Sequence, residues 1–220
     1  MKPNHHTILR NTIAFVKASL ADAEGGHDWW HTHRVLQLSR LISKKENSSQ
    51  FICELGALLH DIADPKFHDG DDVKASVIAE KFLAGQGLDK ATISKVIEII
   101  ENISFKGGHA DGVEKSPELK VVQDADRLDA LGAIGIARAF NYGGYKNRKM
   151  YDPEIPPKTY SSPGEYRKSD APTINHFHEK LLLLKDLMNT ETGRKMAEER
   201  HRYMVEFLRR FKDEWEGLGN

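Results

Sequence analysis

Apolar residues recur every three to four positions along almost the whole chain, which is the spacing of helices that bury one face. A convincing alternation of apolar and polar residues, the mark of a half-buried strand, is missing. The pattern therefore predicts an all-α fold. We expect it to form a helical bundle, arranged as a single domain over residues 1–220.

Capping residues, glycines and prolines divide this pattern into eight predicted helices. The predicted starts are Asn4, Asp28, the apolar run 51–59, Asp72, Asp89, Ser116 and two closing stripes that begin at Ile174 and Met196. The sixth helix, which starts at Ser116, carries its stripe through Leu119, Val122, Asp126, Asp129 and Ala133. Most of these helices present one apolar face, as expected of a bundle.

A segment of different composition, residues 142–172, separates the sixth helix from the two closing ones. It holds five of the six tyrosines and five of the eight prolines, together with several basic residues. A loop of this length inside a compact domain is usually functional or disordered. Because aromatic side chains favour packing, we expect at least partial order in this segment.

Composition narrows the partners and the compartment. The 32 Lys and Arg residues nearly balance the 33 Asp and Glu residues, and the net charge is −1. This balance argues against bulk binding to nucleic acid or to an anionic membrane. The single cysteine, Cys53, excludes an internal disulfide, and no apolar run approaches the roughly 18 residues of a membrane span. We therefore expect a cytoplasmic protein that binds neither nucleic acid nor membrane.

Candidate chemistry begins at the end of the apolar run 51–59, which His60 and Asp61 follow directly. An imidazole and a carboxylate buried without partners at the inner end of a core helix would cost several kcal/mol. A divalent metal ion is the most economical partner for both. The eleven histidines of the chain, many for this length, are consistent with such a site.

Two further polar residues occupy apolar stripes. His31 lies on the same predicted helix face as Val35, and Asp126 continues the stripe of Val122. With His60 and Asp61, they make two imidazoles and two carboxylates that project inward from three helices. This is how helical bundles build metal sites. Asp124, two residues before Asp126 and about 200° around the helix, is expected to face solvent or to pair with a neighbour.

The order of these four residues resembles a known signature. His31, then His60-Asp61, then Asp126 match the H…HD…D pattern of the HD-domain superfamily of metal-dependent phosphohydrolases. The contexts 31–35, 58–62 and 124–129 match as well, and the likeness to the bacterial YedJ/YpgQ-like branch covers nearly the whole chain. The resemblance implies an HD-type bundle and hydrolysis of phosphate esters.

Mixed nitrogen and oxygen ligands suit one divalent ion, with Mn²⁺, Co²⁺, Ni²⁺ or Fe²⁺ favoured and Mg²⁺ or Zn²⁺ less preferred. Asp64 follows Asp61 by three residues, where the family often carries an acidic residue. We interpret it as the base or orienting group for the attacking water. The alternative is that Asp64 only starts the turn before Pro65.

Phosphate charge requires cations. Lys66 follows the ligand loop and is assigned to the catalytic group with Asp64, while Lys106, before two glycines, and Arg127, beside a ligand, are predicted to bind substrate phosphates. Each taken alone is more often a solvated side chain than a binding group.

The tyrosine-rich segment has two interpretations of equal weight. In the first, it is a lid in which Tyr145 stacks on a base while Lys146 or Arg148 meets phosphate. In the second, it is a structural loop that wraps the bundle, or the contact of a homodimer. The sequence does not separate them.

Among functions, the resemblance favours a (deoxy)nucleoside triphosphate pyrophosphohydrolase, which releases a nucleoside monophosphate and pyrophosphate. A phosphomonoesterase such as a 5′-nucleotidase, or a cyclic-nucleotide phosphodiesterase, is the alternative. A non-catalytic nucleotide-sensing module is disfavoured, because degenerate members of the superfamily lose ligands. A third interpretation is a di-iron oxygenase, since some proteins of the superfamily use additional histidines between the HD pair and the last Asp. The second metal ion would need His68 and His109, which fall in predicted loops.

Overall fold

The computed structural model of the chain describes residues 4–21, 28–62, 75–103, 115–160 and 169–218. Within these ranges the secondary structure is helical and contains no strand, so the predicted all-α fold is confirmed. The helices are α1 His5–Ser19, α2 Trp29–Ser43, α3 Gln50–Leu59, α4 Ala75–Gly85, α5 Lys90–Asn102, α6 Pro117–Asp129, α7 Gly132–Tyr145, α8 Thr173–Glu179, a 3₁₀ helix Leu181–Leu187, and α9 Glu191–Trp215. None of these described helices is long and apolar enough to cross a bilayer.

The predicted caps start four of the helices. The side-chain oxygens of Asn4, Asp28 and Asp89 each accept a hydrogen bond from the backbone N–H three residues later, at 2.8 to 3.0 Å. Ser116 does the same for α6, at 3.2 Å. These bonds satisfy N–H groups that have no partner inside the helix, and they fix where each helix begins. For α2, the cap at Asp28 places His31 in the first turn.

The chain forms two compact units, one of residues 1–105 and 110–126, the other of residues 106–109 and 127–220. In the first unit, α3 is the central helix and packs against α1, α2 and α5. Gly56 lets α5 approach closely, because a Cβ at this position would lie 2.7 Å from Cδ1 of Ile99. The single domain expected from the sequence stays a prediction, since each unit has its own buried core.

The second unit is built on aromatic packing between α7, α8 and α9. The ring of Phe140 lies 5.9 to 6.3 Å from the rings of Phe177, Phe207 and Phe211. Phe177 is fully buried. These contacts account for the strong apolar stripe that the sequence shows in its last third.

Helix α7 differs from the sequence prediction. The stripe of the sixth helix was expected to run to Ala133, but α6 ends at Asp129 and Gly132, at a φ of +72°, starts a new helix. This helix continues to Tyr145, so the segment predicted as a loop from residue 142 leaves helical structure only at Lys146. The four glycines of α7 lower its helix propensity, and for this reason the sequence pattern does not predict the helix.

Two adjacent glycines of α7 give a prediction about stability. A Cβ at Gly143 would lie 2.1 Å from Oγ1 of Thr173 on α8, whereas a Cβ at Gly144 meets nothing within 4 Å. Gly143→Ala should therefore lower the free energy of unfolding by about 1–3 kcal/mol through overpacking. Gly144→Ala should raise it by up to about 1 kcal/mol through helix propensity. Urea denaturation of both variants measures this, and equal effects of the two would contradict the described packing.

Candidate metal centre

Two helices of the first unit bring two imidazoles together. His31 lies in the first turn of α2, and His60 follows the last residue of α3. Both side chains are buried, with 2% and 7% of the residue exposed. Their Nε2 atoms lie 3.2 Å apart. Two imidazole nitrogens aimed at each other across such a gap indicate a common point of coordination.

Two carboxylates complete the group. Asp61 Oδ2 lies 3.3 Å from His31 Nε2 and 3.4 Å from His60 Nε2. Asp126 Oδ1, from α6, lies 3.5 and 4.0 Å from the same two atoms. The donor atoms of His31, His60 and Asp126 all lie within 4.8 Å of one another. Asp61 is not part of this group of three, but its carboxylate contacts both imidazoles.

A backbone carbonyl orients one of the imidazoles. The Nδ1 of His60 lies 2.8 Å from the carbonyl oxygen of Ala57, one turn earlier on α3. A carbonyl only accepts, so Nδ1 donates, and the Nε2 of the neutral ring keeps its lone pair directed at the centre. The sequence analysis did not identify this contact, because a backbone carbonyl leaves no residue signal.

Negative charge dominates the centre. Burial acts most strongly on His60 and lowers its pKa, but Asp61, Asp126 and the Ala57 carbonyl together raise the pKa to about 9. The carboxylates thus favour a positive charge at this point more than burial opposes it. A cation is the natural occupant of such a pocket.

The donor set fits a divalent metal ion. Atoms that bind one ion at about 2.1 Å lie about 3 Å apart when adjacent and about 4 Å apart when opposite. The separations between the two imidazole nitrogens, and between each of them and the carboxylate oxygens, are 3.2 to 4.0 Å and fall in this range. Two nitrogen and two carboxylate oxygen donors suit first-row transition metals. His31, His60 and Asp126 therefore fit the metal that the sequence pattern predicts, and Asp61 lies beside them in contact with both imidazoles.

Comparison with known proteins decides the family. The family model of the HD domain matches residues 29–131, a range that contains all four donors. The YpgQ protein of Bacillus subtilis is 40% identical over 205 residues, which cover 93% of this chain and 92% of YpgQ. The chain belongs to the HD-domain superfamily, in its YpgQ-like branch. The resemblance seen in the sequence is thereby confirmed.

Solved structures agree with this membership. An HD-superfamily hydrolase from Bacillus thuringiensis matches with a TM-score of 0.78 and 42% identity, covering 97% of this chain and 99% of that one. Bacillus subtilis YpgQ in complex with ADP matches with a TM-score of 0.78 and 36% identity, covering 96% of each chain. The HD-domain protein described here is a metal-dependent phosphohydrolase.

Three predicted site residues of this HD protein lie outside the described residues. They are Asp64, Lys66 and Lys106. His68 and His109 also lie outside the described ranges, so a second metal ion stays a hypothesis. His33 is half-buried, and its ring lies 5.8 and 5.9 Å from the rings of Trp29 and Trp30.

The other predicted substrate-binding residues lie in the second unit. Arg127 donates a hydrogen bond from Nη1 to the carbonyl of Leu187. Tyr145 is 65% exposed, and Lys146 lies over its ring. Arg148 donates from Nη2 to the carbonyl of Ser169. Their roles in substrate binding stay predictions.

Asp124 contradicts one expectation. It is fully buried, so an orientation toward solvent is wrong, and it does interact with a partner. The reason is that α6 is buried on more than one face, since Val121, Val122 and Ala125 are also fully buried. A rotation of 200° therefore does not bring a side chain to water. The nearby apolar residues Val121, Val122 and Ala125, which lie on different faces of the helix, were the available signal.

Proposed function

We propose that this HD-domain protein hydrolyses (deoxy)nucleoside triphosphates to a nucleoside monophosphate and pyrophosphate. The observation that carries the proposal is the convergence of His31, His60 and Asp126, with Asp61 beside them: the two imidazole Nε2 atoms lie 3.2 Å apart, and each carboxylate oxygen lies 3.3 to 4.0 Å from both. A nucleotide ligand is supported by the complex of Bacillus subtilis YpgQ with ADP, since that relative is 36% identical. The partner we propose is thus a small nucleotide, and the cytoplasmic location and a homodimer stay predictions.

The roles of the donors follow from their surroundings. A divalent ion bound here would supply Lewis acidity and would lower the pKa of water toward neutrality. His31 and Asp126 would hold it from α2 and α6, while His60 and Asp61 would hold it from the end of α3. The hydrogen bond from His60 Nδ1 to the Ala57 carbonyl keeps that ring in the ligating orientation. Mn²⁺, Co²⁺, Ni²⁺ or Fe²⁺ are the ions that we favour.

The remaining catalytic roles rest on the sequence. Asp64 would orient the attacking water and take its proton, and Lys66 would stabilise negative charge on the phosphoryl oxygens. Lys106 and Arg127 would bind the rest of the phosphate chain. In Arg127 one guanidinium nitrogen already bonds to the Leu187 carbonyl, which fixes the plane of the group.

Product analysis tests the proposal. Purified protein is incubated with nucleoside mono-, di- and triphosphates and with cyclic nucleotides, each with several divalent ions. We expect monophosphate and pyrophosphate in equal amounts from triphosphates. Orthophosphate as the main product would support a phosphomonoesterase instead, and linear monophosphate from cyclic nucleotides would support a phosphodiesterase. The Asp126→Ala variant, prepared identically, controls for contaminating phosphatases.

A regulatory module without catalysis is the alternative from another class. It predicts nucleotide binding with no product of any kind under every metal condition. Because all four donors are present and converge, we do not favour it. The same incubations decide this point.

A further inference from the structure

The second unit contains a cavity that the proposed metal centre does not use. Its volume is about 730 Å³, which is in the range of small-molecule binding sites. The described lining comes from three stretches of chain, residues 146–149, 155–160 and 169–172. It includes four basic residues, Lys146, Arg148, Lys149 and Lys158, and one acidic residue, Asp170. The lining is thus strongly positive.

The walls of this cavity are tied together. The backbone N–H groups of Thr173 and Ile174 donate to the carbonyls of Lys149 and Met150, at 2.9 and 3.0 Å. The side chain of Asn175 donates to the carbonyl of Ile155 at 2.8 Å. These bonds connect the irregular segment after α7 to the start of α8. The cavity is therefore held in shape by backbone contacts before any ligand binds.

Neutral groups position the cations. Lys146 Nζ lies 4.9 Å from the ring centroid of Tyr145 and 5.7 Å from that of Tyr142. Arg148 Cζ lies 5.6 Å from the centroid of the Tyr142 ring, and Arg148 Nη2 donates a hydrogen bond to the Ser169 carbonyl. Aromatic faces and carbonyls orient a cation without cancelling its net charge. Structural ion pairs do the opposite, since they neutralise the charges they fix.

Carboxylates cancel only part of the positive charge. Lys149 pairs with Asp152 at 2.7 Å. Among the described residues, Lys146 and Lys158 form no ion pair within 4.0 Å. The nearby Glu179 accepts hydrogen bonds from the backbone N–H of Lys158 and from the Tyr160 hydroxyl.

The electrostatic influence of this region reaches a neighbouring histidine. Burial, together with the positive charges of Lys180 and Arg148, lowers the pKa of His176 to about 3. The ring is therefore neutral at physiological pH. Burial is the larger cause, and the charges of Lys180 and Arg148 act in the same direction, as cations near an imidazole do.

We propose that this cavity binds the phosphate chain of a phosphate-bearing ligand, with Lys146, Arg148 and Lys158 as the binding cations. Phosphate oxygens are the anionic groups that fixed guanidinium and ammonium donors recognise best. This phosphate chain is part either of the nucleotide substrate or of a separate polyphosphate ligand. Both sources share the same chemistry, and the proposal does not require that the metal centre cleaves triphosphates.

Calorimetric titration with inorganic tripolyphosphate tests the proposal. The full chain is first stripped of metal with a chelator and dialysed, so that the metal centre contributes no phosphate binding through an ion. We expect binding to the wild-type protein that weakens as salt is added. The double variant Lys146→Ala/Lys158→Ala should raise Kd at least about tenfold, because two charge-assisted contacts are lost. Arg148 is kept, since it also supports the Ser169 carbonyl.

The matched control is Lys44→Ala/Lys45→Ala, which removes two exposed charges in the turn after α2. It should bind tripolyphosphate like the wild-type protein, as should Asp126→Ala. Equal Kd values in the two double variants, or no binding by the wild-type protein, would overturn the proposal. If Lys146→Ala/Lys158→Ala loses tripolyphosphate binding, its KM for nucleotide hydrolysis identifies the ligand. A raised KM means that the cavity binds the phosphate chain of the substrate, and an unchanged KM means that it binds a separate ligand.

Discussion

Asp126→Ala is expected to abolish phosphohydrolase activity, with a fall in kcat of more than about 100-fold. Even residues that only support metal ligands are worth about 10–100-fold, and a ligand itself is worth more. Asp126 Oδ1 lies 3.5 Å from His31 Nε2, and its removal takes one of four donors from the site. His31→Ala should have the same effect for the same reason. Steady-state kinetics with added metal, together with the metal content of the purified variants, provide the measurement.

His33→Ala is the matched control for His31→Ala. It removes an imidazole from the same helix, but one that packs against the rings of Trp29 and Trp30 instead of the donor group. Its kcat and metal content should stay within about a factor of three of wild type. If Asp126→Ala keeps its activity and its metal, the four-residue donor set is wrong.

Arg138→Ala is expected to lower the free energy of unfolding by about 3–5 kcal/mol, because it removes an ion-pair partner from a buried carboxylate. Asp129, at the end of α6, is 1% exposed, and Arg138 on α7 donates to it from Nη1. Burial lowers the pKa of Arg200, and the nearby carboxylate of Asp129 raises it by a smaller amount. Urea denaturation, monitored by helical circular dichroism, measures the change.

Arg202→Ala serves as the control for this variant. It removes the same type of charge from an exposed position on α9, where the expected change is within about 0.5 kcal/mol. A loss in Arg138→Ala of less than about 1 kcal/mol would mean that the Asp129–Arg138 pair does not stabilise the second unit. Proper folding of Arg138→Ala at low denaturant is verified by the starting signal of the same titration.

The sequence predicted the donor cluster because each ligand leaves a local signal. His31 interrupts the stripe that contains Val35, and His60-Asp61 end an apolar run of nine residues. A polar residue at an apolar register is visible without any structure, since its burial demands a partner. The all-α fold was predictable for a related reason, namely that helical periodicity is strong over most of the chain.

Other features depend on contacts between distant residues, and so the sequence could not reveal them. The ion pair of Asp129 with Arg138 joins two helices, one of which was not predicted at all. The stacking of Lys146 and Arg148 on tyrosine rings was anticipated only as residue types in one segment, not as contacts. Helix α7 escaped prediction because glycine has low helix propensity, and tertiary packing of Gly143 against Thr173 overrides that preference.

The central claim is that His31, His60, Asp61 and Asp126 bind one divalent metal ion. Crystals grown with Mn²⁺ and measured at a wavelength where manganese scatters anomalously test it most directly. We expect one anomalous peak per chain, at about 2.1 Å from the donor atoms of all four side chains. The absence of a peak among these residues, or a peak held by other side chains, would contradict the account.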